Sequence, residues 1–143
     1  KFAHKMAFLD EMTEWFATNH KSKDPAILVG DLNIAPLESD VWSHKQLLKV
    51  VSHTPIEIEK LDAVRQSNDW VDAVRHLIPP EETLYSWWSY RARDWDAADK
   101  GRRLDHVWVT PPLVDKLKSA TVLRPARGWE KASDHAPVIV EIG

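Results

Sequence analysis

Two short polar strings, one near each end of the chain, each adjoin an apolar run. The run Ala26–Val29 is followed at once by Gly-Asp-Leu-Asn at 30–33, and Ser-Asp-His at 133–135 is followed at once by the run 136–140. Short apolar runs bounded by Gly or polar residues predict buried strands. If the two predicted strands are neighbours, their polar ends meet at one edge of a sheet. The side chains that would meet there are Asp31, Asn33, Asp134 and His135.

These side chains indicate metal-assisted chemistry on a phosphate ester. Carboxylate and amide oxygens suit hard divalent cations, and Mg²⁺ is commonly held by one or two carboxylates together with substrate phosphates. An imidazole beside them can transfer a proton or contact a phosphoryl oxygen. The sheet edge is therefore a candidate active site.

The size and composition of the chain limit what can surround this edge. A length of 143 residues, with 43% hydrophobic and 29% charged residues, is typical of one globular domain. The absence of cysteine excludes disulfides and thiolate metal sites. No run approaches the roughly 20 apolar residues of a membrane span, and no signal-peptide pattern is present. We expect no membrane partner.

Charge is distributed unevenly along the chain. Residues 1–84 carry 9 basic and 14 acidic side chains, whereas residues 85–131 carry 10 and 6, a net charge of +4. A basic segment of this kind can contact a phosphate backbone. It is equally typical of a solvated loop with scattered Arg and Lys, so charge alone leaves both interpretations open.

The spacing of apolar residues and breakers predicts a single α/β unit with a mixed sheet. A capping box, Thr54-Pro55-Ile56-Glu57, predicts a helix that runs to about Ser67. Other helical segments are expected over 1–20, 69–77 and 113–118. A loop is expected over 34–40. Strands are expected over 26–30, 84–90, 103–110, 120–124 and 136–142.

The strand that contains Asp105 places this carboxylate on a face with apolar neighbours, because the odd-numbered residues from 103 to 109 share one side. A partly buried carboxylate needs a partner. His135 is one candidate, since an Asp–His pair fixes the imidazole tautomer and raises its basicity. A structural salt bridge to Arg103 or Arg124 is the alternative.

The other imidazole and indole side chains are interpreted as structural. Trp87 alternates with Trp88, so one of the two is expected to face outward, either under a loop or as a stacking platform for a base or sugar. Three tryptophans are expected in the core: Trp70, Trp88 and Trp108. The following histidines show no metal-ligand spacing and are expected at the surface: His4, His20, His44, His53 and His76.

Five strings in order along the chain carry a resemblance to a known family. They are GDLNIAP (30–36), WVDAVRHLIP (70–79), LYSWWSYR (84–91), GRRLDHVWVT (101–110) and RGWEKASDHAPV (127–138). Together they resemble the C-terminal half of the exonuclease III family, bacterial abasic-site endonucleases and 3′-phosphatases of the endonuclease/exonuclease/phosphatase superfamily. One such string would be a weak signal, whereas five with matched spacing are specific.

The resemblance implies that residues 1–143 are the C-terminal part of a single endonuclease/exonuclease/phosphatase domain. The implied fold is half of a four-layer α/β sandwich, with mixed β-sheets flanked by helices. The family's early Asn, metal-binding Glu and Tyr are then expected outside this chain. The inner face of the sheet should be bare in part, and we expect some of these residues on it: Val29, Trp88, Val107, Val109, Val138 and Val140.

The resemblance also implies a role for each polar residue of the predicted edge. Asp31 matches a carboxylate at the metal and the attacking water, and Asn33 matches an amide that orients the nucleophile. Asp105 matches the carboxylate that orients His135, the histidine that faces the scissile phosphate. The implied catalytic residues are Asp31, Asn33, Asp105 and His135. The implied metal ligands are Asp31, Asn33, Asp134 and His135, with Mg²⁺ as the cofactor and Mn²⁺ as an alternative.

The implied partner is double-stranded DNA with abasic sites or 3′ ends, bound by a monomeric full-length protein in the bacterial cytoplasm. The expected DNA-contacting residues are Trp87, Arg102, Leu104, Arg91 and Arg127. Two positions depart from some relatives, Arg102 in the sugar pocket and Ser89. Two alternatives to a DNA phosphodiesterase stay open at this stage. One is the same metal chemistry on a small or lipid phosphoester, and the other is a DNA-binding relative without catalysis.

Overall fold

The computed structural model describes all residues from Lys1 to Gly143. Short irregular segments separate most of its helices and strands. The helices are Phe2–Thr18 (α1), His44–Leu47 (α2), Pro55–Ser67 (α3), Ala73–Leu77 (α4) and Trp95–Ala98 (α5). The strands are Ile27–Asp31 (β1), Val71–Asp72 (β2), Trp87–Trp88 (β3), Gly101–Arg102 (β4), Asp105–Val109 (β5), Leu117–Val122 (β6) and Val138–Ile142 (β7). Turns of 3₁₀ helix lie at Glu38–Asp40, Pro111–Lys116 and Arg124–Gly128.

The central sheet is built on β5, which pairs on one side with β1 and on the other with β2. Both pairings are antiparallel, and in the first of them Asp31 is opposite Asp105. Two further antiparallel ribbons are formed by β3 with β4 and by β6 with β7. The α/β class is as expected, although every ladder in this chain is antiparallel where the sequence predicted a mixed sheet.

The two long helices α1 and α3 cover one face of the central sheet. Apolar side chains from both helices pack on Leu28 and Trp108, which share that face because they are register partners. The α3 N-terminus follows the predicted capping box, since the Glu57 carboxylate accepts hydrogen bonds from the Thr54 N–H and hydroxyl. The buried core of this layer contains Met6, Leu9, Ile34, Leu61, Val64, Trp70 and Trp108.

The opposite face of the sheet is open at β1. Val29 is 66% exposed, and Ile27, two residues earlier on the same side of β1, is also exposed. Val107, Val138 and Val140 are half-buried. The expectation of a bare apolar face is wrong for Trp88 and Val109, which are buried. The indole of Trp88 is enclosed by Tyr85 and Trp95, at ring-centroid distances of 6.1 and 5.3 Å.

Several predicted elements differ from the structure. Within the helical segment expected over 69–77, Val71–Asp72 is strand β2 and only Ala73–Leu77 is helical. The strand expected over 84–90 is reduced to Trp87–Trp88. The helical segment expected over 113–118 is a 3₁₀ helix that begins at Pro111, and β6 starts at Leu117, before the predicted 120. Two prolines without N–H groups are accommodated in the first turn of a helix, which accounts for the earlier start. No helix is both long and apolar enough to cross a membrane.

A buried ionic cluster ties the 34–40 loop to the sheet. Asp40 is fully buried and accepts hydrogen bonds from Arg75 at 2.6 Å and from Arg103 at 2.7 and 3.0 Å. The second guanidinium nitrogen of Arg103 also lies 3.0 Å from Asp72. Burial raises the pKa of Asp40, but the charges and hydrogen bonds of Arg103 and Arg75 outweigh it, and the net pKa is lowered from 3.8.

We predict that Asp40→Asn destabilises the fold by about 3–5 kcal/mol, because it leaves two buried guanidinium groups without their shared carboxylate. Asp62→Asn is the control, since Asp62 forms an exposed pair with Arg65 and should cost less than about 1 kcal/mol. Urea unfolding of both variants measures the difference. The pKa of Asp40 is lower in the folded state than in the unfolded chain. The stability that Asp40 contributes should therefore be complete above the unfolded pKa, and it should be lost as the pH falls through the folded pKa. Equal losses in the two variants would contradict the assignment.

Candidate active site

Three segments of backbone bring the predicted polar residues to one place. The antiparallel register of β1 and β5 sets Asp31 opposite Asp105 on the same face of the sheet. An isolated bridge pairs His135 with Trp87, and the Trp88 N–H donates to the Asp134 carbonyl. The segment before β7 therefore runs beside β3, and its imidazole points to the two carboxylates.

His135 is the centre of this group. Its Nδ1 lies 2.8 Å from Asp105 Oδ2, and its Nε2 lies 3.6 Å from Asp31 Oδ2 and 4.0 Å from Asp134 Oδ1. The alternative partners proposed for Asp105 are engaged elsewhere. Arg103 pairs with Asp40 and Asp72, and Arg124 pairs with Asp96 and Asp99. The structure thus makes the Asp–His pairing, and the salt bridge to Arg103 or Arg124 is wrong.

Ser86 orients the Asp105 carboxylate, which sequence reasoning missed. The Ser86 hydroxyl lies 2.7 Å from Asp105 Oδ2 and accepts hydrogen bonds from the Leu104 and Asp105 N–H groups at 3.0 and 3.2 Å. With both lone pairs of the hydroxyl used by backbone donors, its proton is directed to the carboxylate. Asp105 Oδ2 therefore accepts from both Ser86 and His135, and the Nε2 of His135 is left for the Asp31 side.

The charge state of His135 depends on these neighbours. Partial burial lowers the pKa of His135, but the hydrogen bond and charge of Asp105 act in the opposite direction. The charges of Asp31 and Asp134 add to the second effect, and the net pKa is raised above 6.5. An imidazole in this setting can hold a proton near neutral pH and release it to a neighbouring group.

The end of β1 and the loop after it present Asp31 and Asn33 at the same edge. Gly30, within β1, has φ +155°, a backbone conformation that residues with side chains rarely adopt. Asn33 has φ +53°, and its N–H donates to Asp31 Oδ1 at 2.9 Å. Left-handed backbone is tolerated by Asn more readily than by most residues. The Asp31 carboxylate is thus fixed relative to the Asn33 backbone by a local hydrogen bond.

Three of the side chains at this edge form a donor set that fits a divalent cation. Asp31, Asp105 and His135 each offer a ligand atom, and these atoms lie within 4.8 Å of one another. Asp134 Oδ2 accepts a hydrogen bond from Trp87 Nε1 at 3.0 Å, so one of its oxygens is occupied. A site with two carboxylates, one of them well exposed, is typical of Mg²⁺, which keeps several waters when it binds proteins.

A cleft of about 1160 Å³ opens in front of these residues. Arg102 lies across it, with its guanidinium carbon 5.2 Å from the centre of the Trp87 ring and with hydrogen bonds to Val51 O and Ser52 Oγ at 3.0 and 2.8 Å. Leu104, though buried, forms part of the wall. The predicted DNA-contacting residues that line the cleft are Trp87, Arg91, Arg102 and Leu104.

Arg127 is the exception among these residues, and its assignment as a DNA-backbone contact is corrected. It is only 6% exposed, and its guanidinium donates to the Trp88 and Ser89 carbonyls at 2.9 and 3.3 Å. It also lies over the rings of Tyr90 and Trp95 at 4.8 and 5.2 Å. These contacts hold the cleft wall, and they engage Nε and one terminal nitrogen of a guanidinium that is largely buried.

His53 is a second correction, since it was expected at the surface. It is fully buried, with Nδ1 2.7 Å from the Ala35 carbonyl and Nε2 2.7 Å from His44 Nδ1. His106, on the helix-covered face of β5, is also buried, and its Nε2 lies 2.7 Å from the Ile34 carbonyl. Both imidazoles act as structural hydrogen-bonding groups behind the Asn33 loop.

We predict that Asp105→Asn lowers the pKa of His135, because it removes the charge of the acceptor at Nδ1. A ¹H–¹⁵N NMR titration of the imidazole measures the change, with the exposed Asp62→Asn as a control that should leave the His135 curve unmoved. The pKa of His135 is higher in the folded protein than in the unfolded chain. The Asp105–His135 pair therefore stabilises the fold fully below the unfolded pKa, and this stabilisation is lost as the pH rises through the folded pKa. An unchanged His135 pKa in Asp105→Asn would contradict the pairing.

Comparisons with known proteins extend this description. The chain is 27% identical over 146 residues to exodeoxyribonuclease III of Haemophilus influenzae, covering 99% of this chain and 54% of that protein. The structure resembles that of an AP endonuclease from Archaeoglobus fulgidus, with a TM-score of 0.93 and 25% identity over 99% of this chain and 54% of that one. It also resembles a 3′ phosphatase from Neisseria bound to a product DNA hairpin, with a TM-score of 0.89, 26% identity and the same coverage.

The chain thus spans about half the length of the relatives it matches. The sequence model of the Endonuclease/Exonuclease/phosphatase family matches residues 1–135, which is nearly all of the chain and includes the active-site residues from Asp31 to His135. This chain belongs to the Endonuclease/Exonuclease/phosphatase family.

Proposed function

We propose that this chain is part of a Mg²⁺-dependent phosphodiesterase that acts on DNA, cleaving beside abasic sites and removing groups at 3′ ends. Mn²⁺ is an alternative cofactor. The observation that carries the proposal is the convergence of Asp31, Asp105 and His135 within 4.8 Å at the edge of a cleft with basic and aromatic walls. The names of the relatives support it, because exodeoxyribonuclease III, an AP endonuclease and a 3′ phosphatase all act on DNA ends or lesions.

In this proposal the chain's own residues prepare a water molecule to attack phosphorus. The bond from phosphorus to the 3′ oxygen of the neighbouring sugar breaks, and that oxygen takes up a proton and leaves as a hydroxyl group. Asp31 Oδ2 and His135 Nε2 lie 3.6 Å apart, and the two groups together remove the proton of the water molecule. Asp105 and Ser86 fix the tautomer of His135, so that Nε2 faces the reacting groups. The Asn33 amide donates to the charge that develops on the phosphoryl oxygens. A bound divalent cation, with Asp31 as one ligand and the other donors among Asn33, Asp105, Asp134 and His135, would supply Lewis-acid activation of the phosphate.

The cleft residues are assigned to DNA in the same proposal. Trp87, Arg102 and Leu104 would border an extruded sugar, and Arg91 would contact a backbone phosphate. The Arg102 guanidinium is already partly withdrawn from water, because it donates hydrogen bonds to Val51 O and Ser52 Oγ and lies over the Trp87 ring. The side chain of Arg102 narrows the cleft beside Leu104. We propose that Arg102 determines the preference of the enzyme for abasic sites or for 3′ ends.

We further propose that residues 1–143 form the C-terminal part of one sandwich domain, in a monomeric protein of the bacterial cytoplasm. The support comes from the apolar face of β1 that includes Ile27 and Val29, of which Val29 is 66% exposed. Exposed apolar patches of this kind are uncommon on monomers and mark surfaces that are covered by other protein. Coverage of only 54% of the relatives agrees with a partner segment of similar size.

The direct test uses the intact protein that contains this chain. A duplex with a single abasic-site analogue, a 3′-phosphate duplex, a phosphoinositide and p-nitrophenyl phosphate are each incubated with and without Mg²⁺. Cleavage of the two DNA substrates alone, abolished by EDTA, is the expected result. Turnover restricted to the small or lipid phosphoester would show the same metal chemistry on another substrate. Tight DNA binding without cleavage would show a non-catalytic relative.

We predict that Asp31→Asn and His135→Asn each lower kcat by at least about 100-fold in the intact protein, because each removes a proton-transfer group and the first also removes a metal ligand. Asp105→Asn should be milder, since Asp105 acts through His135. DNA affinity measured by anisotropy should change little in all three. Retention of more than about a tenth of the wild-type rate in either of the first two variants would contradict the assigned roles.

A second prediction concerns DNA contact. Arg91→Ala should weaken duplex binding for all sequences and reduce the salt slope by about one unit, since one phosphate contact releases about one counterion. Arg65→Ala is the matched control, because Arg65 is an exposed arginine on α3 paired with Asp62 and lies outside the cleft. Anisotropy titrations over a range of KCl concentrations give both slopes. Equal slopes for Arg91→Ala and wild type would remove Arg91 from the DNA interface.

A third prediction concerns the apolar face. Residues 1–143 expressed alone should self-associate and lack Mg²⁺-dependent cleavage, because the face at Val29 has no cover. Val29→Lys should reduce this association, whereas Glu14→Lys, on the exposed side of α1, should not. Sedimentation velocity distinguishes the two variants. A monodisperse wild-type chain with cooperative unfolding would contradict the proposal that this face is covered in the intact protein.

A further inference from the structure

Glu57 is a fully buried carboxylate outside the catalytic group, and it joins two loops that border the cleft. Its Oε1 accepts hydrogen bonds from the Ser52 N–H at 2.8 Å and from the Thr54 N–H and hydroxyl at 3.2 and 2.7 Å. Its Oε2 forms an ion pair with Lys5 of α1. A buried ion pair contributes little net stability, so cohesion alone does not account for this one.

Lys5 connects this carboxylate to the active site. Besides Glu57, its ammonium group donates to the Asn33 carbonyl at 2.6 Å, across 28 residues of sequence. The Asn33 N–H is held by Asp31, and the next carbonyl, of Ile34, lies 2.7 Å from His106 Nε2. The hydrogen bond from Lys5 is therefore the last of the contacts that restrain the backbone at Asn33, which has a left-handed φ of +53°.

The hydrogen bonds on the other side of Glu57 lead to the cleft wall. Ser52, whose N–H donates to Glu57, has φ +86°, a conformation that a non-glycine residue keeps only when its surroundings enforce it. The Ser52 hydroxyl in turn accepts from Arg102 at 2.8 Å. A single carboxylate thus restrains Asn33, through Lys5, and Arg102, through Ser52.

N-capping of α3 does not account for this arrangement. Gln serves as well as Glu in a capping box, so capping alone requires neither the charge nor Lys5. Cohesion of α1 and α3 is already provided at the surface, where Lys60 and Asp10 pair at 2.6 Å. What the buried pair adds is the hydrogen bond from Lys5 to Asn33.

We propose that Lys5, held by Glu57, is a positioning residue for Asn33 in the reaction, an inference that rests on the proposed function of the site. Lys5 touches the backbone of Asn33 and none of the reacting atoms. Its loss should let the Asn33 loop shift, and displacements of about 1 Å in a catalytic group cost up to roughly 100-fold in rate.

The test compares Lys5→Met, the double variant Lys5→Met/Glu57→Gln and the control Lys60→Met in the intact protein. Lys5→Met alone leaves a buried unpaired carboxylate and should lower Tm by roughly 10 °C. In the double variant the side chain introduced by Glu57→Gln is neutral and its amide oxygen still accepts from Ser52 and Thr54, so Tm should return close to wild type. The kcat of the double variant should stay about 10- to 100-fold below wild type, because Asn33 is no longer held by Lys5. KM should be unchanged, because the contacts from residue 57 through Ser52 to Arg102 are intact. Lys60→Met should have wild-type kcat.

A double variant with wild-type Tm and wild-type kcat would overturn the inference, since the pair would then only join α1 to α3. The amide ¹H–¹⁵N resonance of Asn33 supplies a readout that does not depend on activity. It should move in the double variant and stay in place in Lys60→Met. If the wild-type protein cleaves no DNA, the proposed function fails by itself, and an unmoved Asn33 resonance in the double variant still refutes the positioning role.

Discussion

The antiparallel register between β1 and β5 is the constraint on which the site depends. Because side chains alternate along a strand, the pairing that sets Asp31 opposite Asp105 also sets Leu28 opposite Trp108 on the other face. A slip of one residue would turn the carboxylates into the layer under α1 and α3 and expose the tryptophan. Apolar burial on one face therefore determines the position of the polar group on the other.

Each buried charge near the site has a partner set that restricts its geometry. Asp40 is held by Arg75 and Arg103, Glu57 by Lys5 and three donors of the 52–54 turn, and Asp105 by Ser86 and His135. Removing any one partner would leave a charge or polar group unpaired in a low-dielectric interior. The polar network consequently gives the irregular loops around the cleft one conformation, although they contain little regular secondary structure.

The sequence allowed the site to be predicted where polar residues adjoin strands. Asp31 and His135 follow from apolar runs. Period-two alternation placed Asp105 on a partly buried face but left its partner open, and only the family resemblance assigned it to His135. Ser86, Lys5 and Glu57 were missed as site residues because their relevance depends on contacts across 19, 28 and 52 residues, which no local pattern encodes. Arg127 was misassigned for a similar reason, since composition shows its charge and only the fold shows its burial against Trp95 and the Trp88 carbonyl.

The central claim is that water, activated at Asp31 and His135, attacks phosphorus in DNA. Cleavage of an abasic duplex by the intact protein in H₂¹⁸O, followed by mass spectrometry of the products, tests this claim directly. Hydrolysis predicts a single ¹⁸O atom in the new 5′-phosphate, and only when Mg²⁺ is present. Cleavage that leaves the phosphate unlabelled would indicate elimination at the sugar and would contradict the account.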